Sequence, residues 1–139
     1  MAYFSFTEKL IKGEPIKIFN DGDMKRDFTY VNDIVQCIEN MLCNPPDSAK
    51  IYNIGNNKPE NLLHFVEVLE DCLMKEGLID KFGAKEFLPM QQGDVYQTYA
   101  DVSDLMRDFE FHPTTPIEDG LGRFVKWYKA FYGLRKDGQ

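Results

Sequence analysis

The sequence predicts a mixed α/β (α+β) domain, and three observations carry that expectation. Short runs rich in β-branched and aromatic residues, such as Ile16-Lys17-Ile18-Phe19 and Ile51-Tyr52-Asn53-Ile54, alternate with longer stretches whose apolar residues recur at helical spacing. Strong punctuation separates them: Gly13, Asn20-Asp21-Gly22-Asp23, Asn44-Pro45-Pro46-Asp47, Gly77 and Thr115-Pro116. With 139 residues, 43% of them hydrophobic and 14% aromatic, the chain can close one core but hardly two, so residues 1–139 are expected to form a single domain.

Taken in order, residues 3–12 are helix-compatible, with Phe4, Phe6, Leu10 and Ile11 as the apolar set and Gly13 as the stop. Aromatics so close to the start suggest cover from something upstream. Residues 16–19 and 27–30 read as strands joined by the Asn20-Asp21-Gly22-Asp23 turn, whose residues tolerate positive φ or make local side-chain turns. A helix over residues 33–42 presents Ile34, Val35, Ile38, Met41 and Leu42, and the Pro45-Pro46 pair ends it. Residues 51–54 read as a strand entering a Gly55-Asn56-Asn57 loop.

The stretch 60–76 is the firmest helix. Leu62, Phe65, Val66, Leu69, Cys72 and Leu73 share one stripe, and Gly77 is placed for a left-handed cap. A short strand over 85–88, a loop over 89–95, an extended piece over 97–100 and a short helix after Asp101 follow. In Thr115-Pro116-Ile117-Glu118 the threonine is expected to cap the Glu118 amide, with Pro116 in the first helical position. Ile117, Leu121, Phe124, Tyr128 and Phe131 then recur at helical spacing, and residues 134–139 are expected to fray.

The net charge of -7 argues against a general nucleic-acid binder, which needs a basic face to displace counterions. Cys37, Cys43 and Cys72 are odd in number and lack metal-ligand spacing, which fits a reducing cytoplasm. The early charges at Glu8 and Lys9 break any signal peptide, and no apolar run reaches membrane-spanning length. His64 and His112 stand alone, so no metal site and no histidine base is assigned.

Arg26 is the best anion-binding candidate. Its planar fork can bond two oxygens of a diphosphate without losing charge, and Lys25 stands beside it. The plain alternative is a surface ion pair with Asp27 or Asp33. Phe19 closes an apolar strand and could face a flat base, although a strand aromatic is more often core. Lys17 points away from Ile16 and Ile18, as the solvated side of an edge strand also would. In Gln91-Gln92-Gly93-Asp94 the amides can donate and accept, and the glycine lets a ligand approach the backbone.

Two patterns are decoys. Tyr132-Gly133-Leu134-Arg135-Lys136 has the Tyr-x-x-x-Lys spacing of dehydrogenase catalytic pairs, but it follows the last helix and carries a helix-breaking glycine. Gly120-Leu121-Gly122 falls inside a helical pattern rather than between a strand and a helix start, so it is not a dinucleotide turn. No catalytic and no cofactor-binding residue is assigned.

Four segments carry a resemblance when taken together: MAYFSFTEKLIKGEPIKIFNDGDMKRDFTYVNDIV, IYNIGNN, LPMQQGDVYQTYADVSDL and GLGRFVKWYKAFYG. In that order they resemble the C-terminal part of the NAD-dependent sugar-nucleotide epimerases and dehydratases of the extended short-chain dehydrogenase family, and in particular the bacterial UDP-glucuronate 4-epimerases of capsule synthesis. The resemblance implies the small substrate domain of such an enzyme, without the Rossmann half, with Met1 matching an internal methionine. It implies that Arg26 grips the nucleotide diphosphate and that Lys17 and Phe19 border the uracil. Gln91 falls where many relatives carry a second diphosphate-contacting arginine, and Asn32 replaces a more usual aspartate. NAD is then the cofactor of the parent enzyme, taking a hydride from sugar C4 and returning it to the other face, and none is expected on this chain alone.

The implied partner is a UDP-sugar, held weakly or not at all by the isolated chain, with self-association through surface left uncovered. A free-standing sugar-nucleotide-binding module, or the substrate domain of a nucleotide-sugar dehydratase or decarboxylase, remains open at this point.

Overall fold

The computed structural model describes residues 2–134. Among these residues five helices and four short strands follow one another: α1 (Ala2–Ile11), β1 (Ile16–Phe19), β2 (Lys25–Arg26), α2 (Val31–Cys43), β3 (Glu60–Asn61), α3 (Leu62–Lys75), β4 (Lys85–Leu88), α4 (Ser103–Phe109) and α5 (Ile117–Phe131). The fold class is the mixed α/β one that the sequence predicts. Its two sheets have two strands each: β1 runs parallel to β4, with Ile16 opposite Lys85 and Phe19 opposite Leu88, and β2 pairs antiparallel with β3.

The main core forms where α3 packs against α1 and α5 and where Ile16 and Ile18 turn inward from β1. Burial of Phe65, Val66, Leu69, Cys72 and Leu73 follows the stripe in the sequence. Asn61 starts α3 by accepting the Leu63 amide at 2.8 Å. The helix ends as its composition dictates: Gly77 has φ 68°, and the Gly77 and Leu78 amides donate to the Met74 and Leu73 carbonyls, both at 2.9 Å. Glu70 on α3 is fully buried, accepting from the Gly83 amide at 2.8 Å and from Lys85 Nζ at 2.8 and 3.0 Å. It thereby ties α3 to β4.

Four sequence expectations are corrected. Residues 27–30 form no strand; the ladder lies one step earlier, at Lys25 and Arg26, because Glu60 and Asn61 stand opposite those residues. Neither do residues 51–54 form one. Their residues suit a strand, but among the described residues no neighbour supplies a ladder, and Ile51 is 92% exposed. The Thr115 capping box does not form: the Thr115 hydroxyl and amide donate instead to the buried Asp33 carboxylate at 2.8 and 3.1 Å, which joins the start of α2 to the approach of α5.

The aromatics of α1 are half-buried against α5. The Tyr3 and Phe124 ring centroids lie 4.9 Å apart and those of Phe4 and Tyr128 5.3 Å apart, so α5 packs against these rings. On α5 itself Val125 is buried while Phe131 is exposed, which displaces Phe131 from the expected core stripe. On α2 the buried side chains are Asp33 and Cys37, whereas Val31, Val35, Ile38 and Leu42 are exposed. Of the tail expected to fray, residues 135–139 lie outside the described residues, as does Lys136 of the Tyr132 pattern.

A second, smaller core gathers Cys37, Val102 and Leu105 with Met41, Tyr52, Ile54, Phe109 and Phe111. A charged network staples it. Asp108 accepts from Lys50 Nζ at 2.6 Å, Tyr52 Oη at 2.9 Å and Arg107 Nε at 2.8 Å, and these donors hold its carboxyl well below the usual carboxylate range.

Candidate anion-binding site

Between β1 and β2 the chain makes a 3-10 turn, with Asn20 and Asp21 at φ 51° and Gly22 at φ 82°. Asparagine and aspartate are the side chains that accept this left-handed conformation most readily, and the Asn20 amide donates to the Asp23 carbonyl at 2.6 Å. A side chain at Gly22 would also run into Leu63, within 2.5–2.8 Å. The turn drops the chain directly into β2, where Lys25 and Arg26 stand.

Arg26 faces the loop that follows β4. Its Nη1 donates to the Lys25 carbonyl at 2.8 Å and the Tyr96 carbonyl at 3.2 Å, while Nη2 donates to Asp94 Oδ1 at 2.7 Å. The loop is clamped alongside: the Lys25 amide donates to the Tyr96 carbonyl at 2.9 Å, Thr98 returns a bond to the Lys25 carbonyl at 3.3 Å, and the Tyr96 phenol donates to Asp23 at 3.0 Å. That last bond raises the Tyr96 pKa, because the phenolic proton is held by a carboxylate.

The surface ion pair weighed from the sequence exists, but with a different acid. Asp33 is taken by Thr115. Asp27 Oδ2 accepts the backbone amides of Asn57 at 3.1 Å and Ala100 at 3.0 Å, while its Oδ1 is buried with no partner among the described residues. Asp27 is thus a joint between three chain segments, and Gly55 beside it has no room for a side chain: a Cβ would lie 2.5 Å from Ala100 Cβ and 2.9 Å from Asp27 Oδ2. Sequence reasoning missed Asp94 as Arg26's partner and Asp27 as this joint. For Asp94 a signal existed, since it is the one carboxylate in residues 89–95.

The other candidates lie along the same route. Lys17 is exposed on the outer face of β1, in register with Glu86; Phe19 is half-buried at the end of that strand, opposite Leu88. Leu88 leads into the loop where Gln91 is exposed and accepts the Asp94 amide at 3.1 Å through its carbonyl. Chain continuity therefore links Phe19, Gln91 and Arg26, although Arg26 makes no hydrogen bond to Lys17, Phe19 or Gln91. A separate apolar groove of about 470 Å³ opens between α1, residues 28–31 and α5, lined by Tyr3, Tyr30, Phe65, Ile117, Leu121 and Phe124. None of the four candidates lines it.

Comparison with known proteins follows the same segments. Residues 1–55 match the family model described as the NAD dependent epimerase/dehydratase family. Protein CapI of Staphylococcus aureus is 42% identical over 95% of this chain and 43% of its own length. Residues 1–55 thus belong with the NAD-dependent epimerase/dehydratase family. UDP-glucuronate 4-epimerase 1 of Arabidopsis thaliana is 35% identical over 96% of this chain and 33% of that protein. Among solved structures, the UDP-glucuronic acid 4-epimerase of Bacillus cereus, in complex with UDP-glucuronic acid and NAD, superposes with a TM-score of 0.81 at 28% identity, over 95% of this chain and 40% of that one. The chain thus spans between 33% and 43% of the length of these proteins.

The family implies NAD, and the described residues do not fit it. A dinucleotide needs a glycine-rich turn between a strand and a helix N-terminus, where backbone amides meet the pyrophosphate. Gly120 and Gly122 both lie within α5, and the two-stranded sheets present no such turn. No helix among the described residues is long and apolar enough to cross a membrane.

Proposed function

We propose that residues 1–139 act as one UDP-sugar-binding unit of a longer, NAD-dependent cytoplasmic enzyme of the UDP-glucuronate 4-epimerase kind, and that this chain alone turns nothing over. Support comes chiefly from Arg26: its guanidinium is fixed by two backbone carbonyls and aimed at the 91–96 loop, in a chain whose relatives are named as UDP-glucuronate 4-epimerases. An arginine so placed suits a diphosphate, each charge-assisted bond contributing about 1.5–3 kcal/mol. Lys17 and Phe19 border the base in this reading, and Gln91 offers an amide where a second cation would bind more strongly. In this reading NAD is held by the remainder of the parent enzyme rather than by this chain. Hydride transfer belongs to the remainder of the parent enzyme.

Binding should be weak, and linkage makes weak binding visible. At ten times its dissociation constant a ligand adds about 1.4 kcal/mol of stability, a rise in Tm of a few degrees for a chain of this size. Millimolar UDP should give that rise, Arg26→Ala should remove it, and UDP-glucuronate with NAD should remain unconverted. Turnover by the chain alone, or a UDP effect that survives Arg26→Ala, contradicts the reading. The exposed face of α2 beside residues 51–54 also favours self-association, which light scattering would refute by finding a strict monomer.

A further inference from the structure

Helix α5 has two apolar faces. Leu121, Val125 and Tyr128 turn into the core, while Gly120, Trp127, Ala130 and Phe131 make a second stripe at helical spacing on the outward side. Trp127 is 48% exposed and Phe131 66%, and their rings stack with centroids 5.0 Å apart, so one end of that stripe is a raised aromatic plate. The other end is low: Gly120 has no side chain, and Pro116 precedes the first turn. Charges along the helix divide as sharply. Glu118 lies 3.4 Å from His64 Nε2, Arg123 lies 5.3 Å from the Tyr30 ring centroid, and Lys129 donates to the Glu76 carbonyl at 2.6 Å. Asp119 and Lys126, both exposed and about two helical turns apart, have no side-chain hydrogen bond or ion pair among the described residues. Arg123 would be the ordinary i,i+4 partner of Asp119, but it is turned toward Tyr30.

We propose that this outward face of α5 binds a second copy of the same chain, helix against antiparallel helix, about a two-fold axis that passes between Arg123 and Phe124. That axis lays Trp127 over Gly120 of the second copy and Phe131 over Pro116 of the second copy, so each raised end meets a low one. Antiparallel helices related by such an axis bring like flanks together. At 1.5 Å per residue, Asp119 of one copy stands about 3 Å along the helix from Lys126 of the other, and symmetry makes that pair twice. Arg123 lies beside the axis, and its turn toward Tyr30 carries its charge away from the other copy's.

Self-pairing is favoured over a foreign partner because the face is complementary to itself: its two unanswered charges have opposite signs, and one two-fold operation satisfies both. The association is weak. A helix of 15 residues offers a strip about 22 Å long and about 10 Å wide, well short of the roughly 800 Å² per partner that a stable complex buries, which corresponds to a dissociation constant of about 10 μM to 1 mM. The face is distinct from the exposed residues of α2 and from Arg26, so the pairing stands or falls independently of both.

Sedimentation equilibrium of the full chain up to about 1 mM should show a concentration-dependent dimer. Trp127→Glu, at an exposed position, should weaken it at least about thirtyfold, and its melting curve reports whether the fold is kept. Asp119→Lys or Lys126→Asp alone sets like charges against each other twice and should weaken association by about tenfold, less so at high salt. The double variant Asp119→Lys with Lys126→Asp puts opposite charges back in register and should return association to within about threefold of the unaltered chain, which a folding defect could not do. A strict monomer at 1 mM overturns the proposal. A dimer that survives Trp127→Glu overturns it, as does one that is lost instead in Val35→Glu on α2, which would place the contact there. Double-variant association no better than that of the single variants overturns the antiparallel pairing.

Discussion

Two regions of this molecule obey the same hydrophobic periodicity with opposite outcomes. Around α3 the apolar stripe is covered on all sides: Phe65, Val66, Leu69 and Leu73 meet α1, α5 and β1 and are essentially inaccessible. Around α2 an equally regular set, Val31, Val35, Ile38 and Leu42, faces out, and the neighbouring Ile51 is almost wholly exposed. Periodicity therefore reports that a face is apolar, while cover depends on elements that arrive from elsewhere in the chain. The α3 region is held by packing; the α2 region is held by a small core, by Asp33 and by a surface network of charges.

The contrast can be broken most sharply by substitutions in the covered region. Phe65→Ala should destabilise the chain by about 3–5 kcal/mol, read as a fall in the denaturant midpoint, because the stacked Phe28 ring 4.3 Å away cannot fill the space. Glu70→Ala should cost about 3 kcal/mol, since it leaves Lys85 Nζ and the Gly83 amide without their buried partner. At the seam between the regions, Asp33→Ala removes the acceptor of both Thr115 donors and should cost about 1–3 kcal/mol. In the uncovered region Leu42→Ser should change stability by less than about 0.5 kcal/mol. A large loss there would mean that the α2 face is covered after all.

Acid should separate the two regions again. The Asp108 carboxyl is held low by Lys50, Arg107 and Tyr52, so its contribution is present above its unfolded pKa of about 4 and is lost as pH falls further. Below about pH 4, exchange protection of α4, corrected for intrinsic rates, should fall before that of α3. Simultaneous loss in both helices would show that the network does not hold its region separately.

What could be read from the sequence follows the same divide. The stripe of α3 and its Gly77 cap depend on near neighbours, and both were legible; the strand at residues 85–88 was legible too, although its partner β1 lies far off in the sequence. The strand expected at 27–30, which lies at Lys25 and Arg26 instead, and the absent one at 51–54 depend on what stands opposite, which side-chain type does not reveal. Thr115 illustrates a local rule displaced by a distant group, since Asp33, 82 positions away, takes both of its donors. At the candidate site Arg26 was legible as an anion ligand from its chemistry, yet its partner Asp94 lies 68 positions along the chain. Sequence spacing favoured Asp27 and Asp33, and both are engaged elsewhere.

The most direct test of the account is a crystal structure of the chain grown with UDP. It should show diphosphate oxygens about 3 Å from guanidinium nitrogens of Arg26, with the uracil beside Phe19. UDP seated in the groove between Tyr30 and Phe124, away from Arg26, would contradict it.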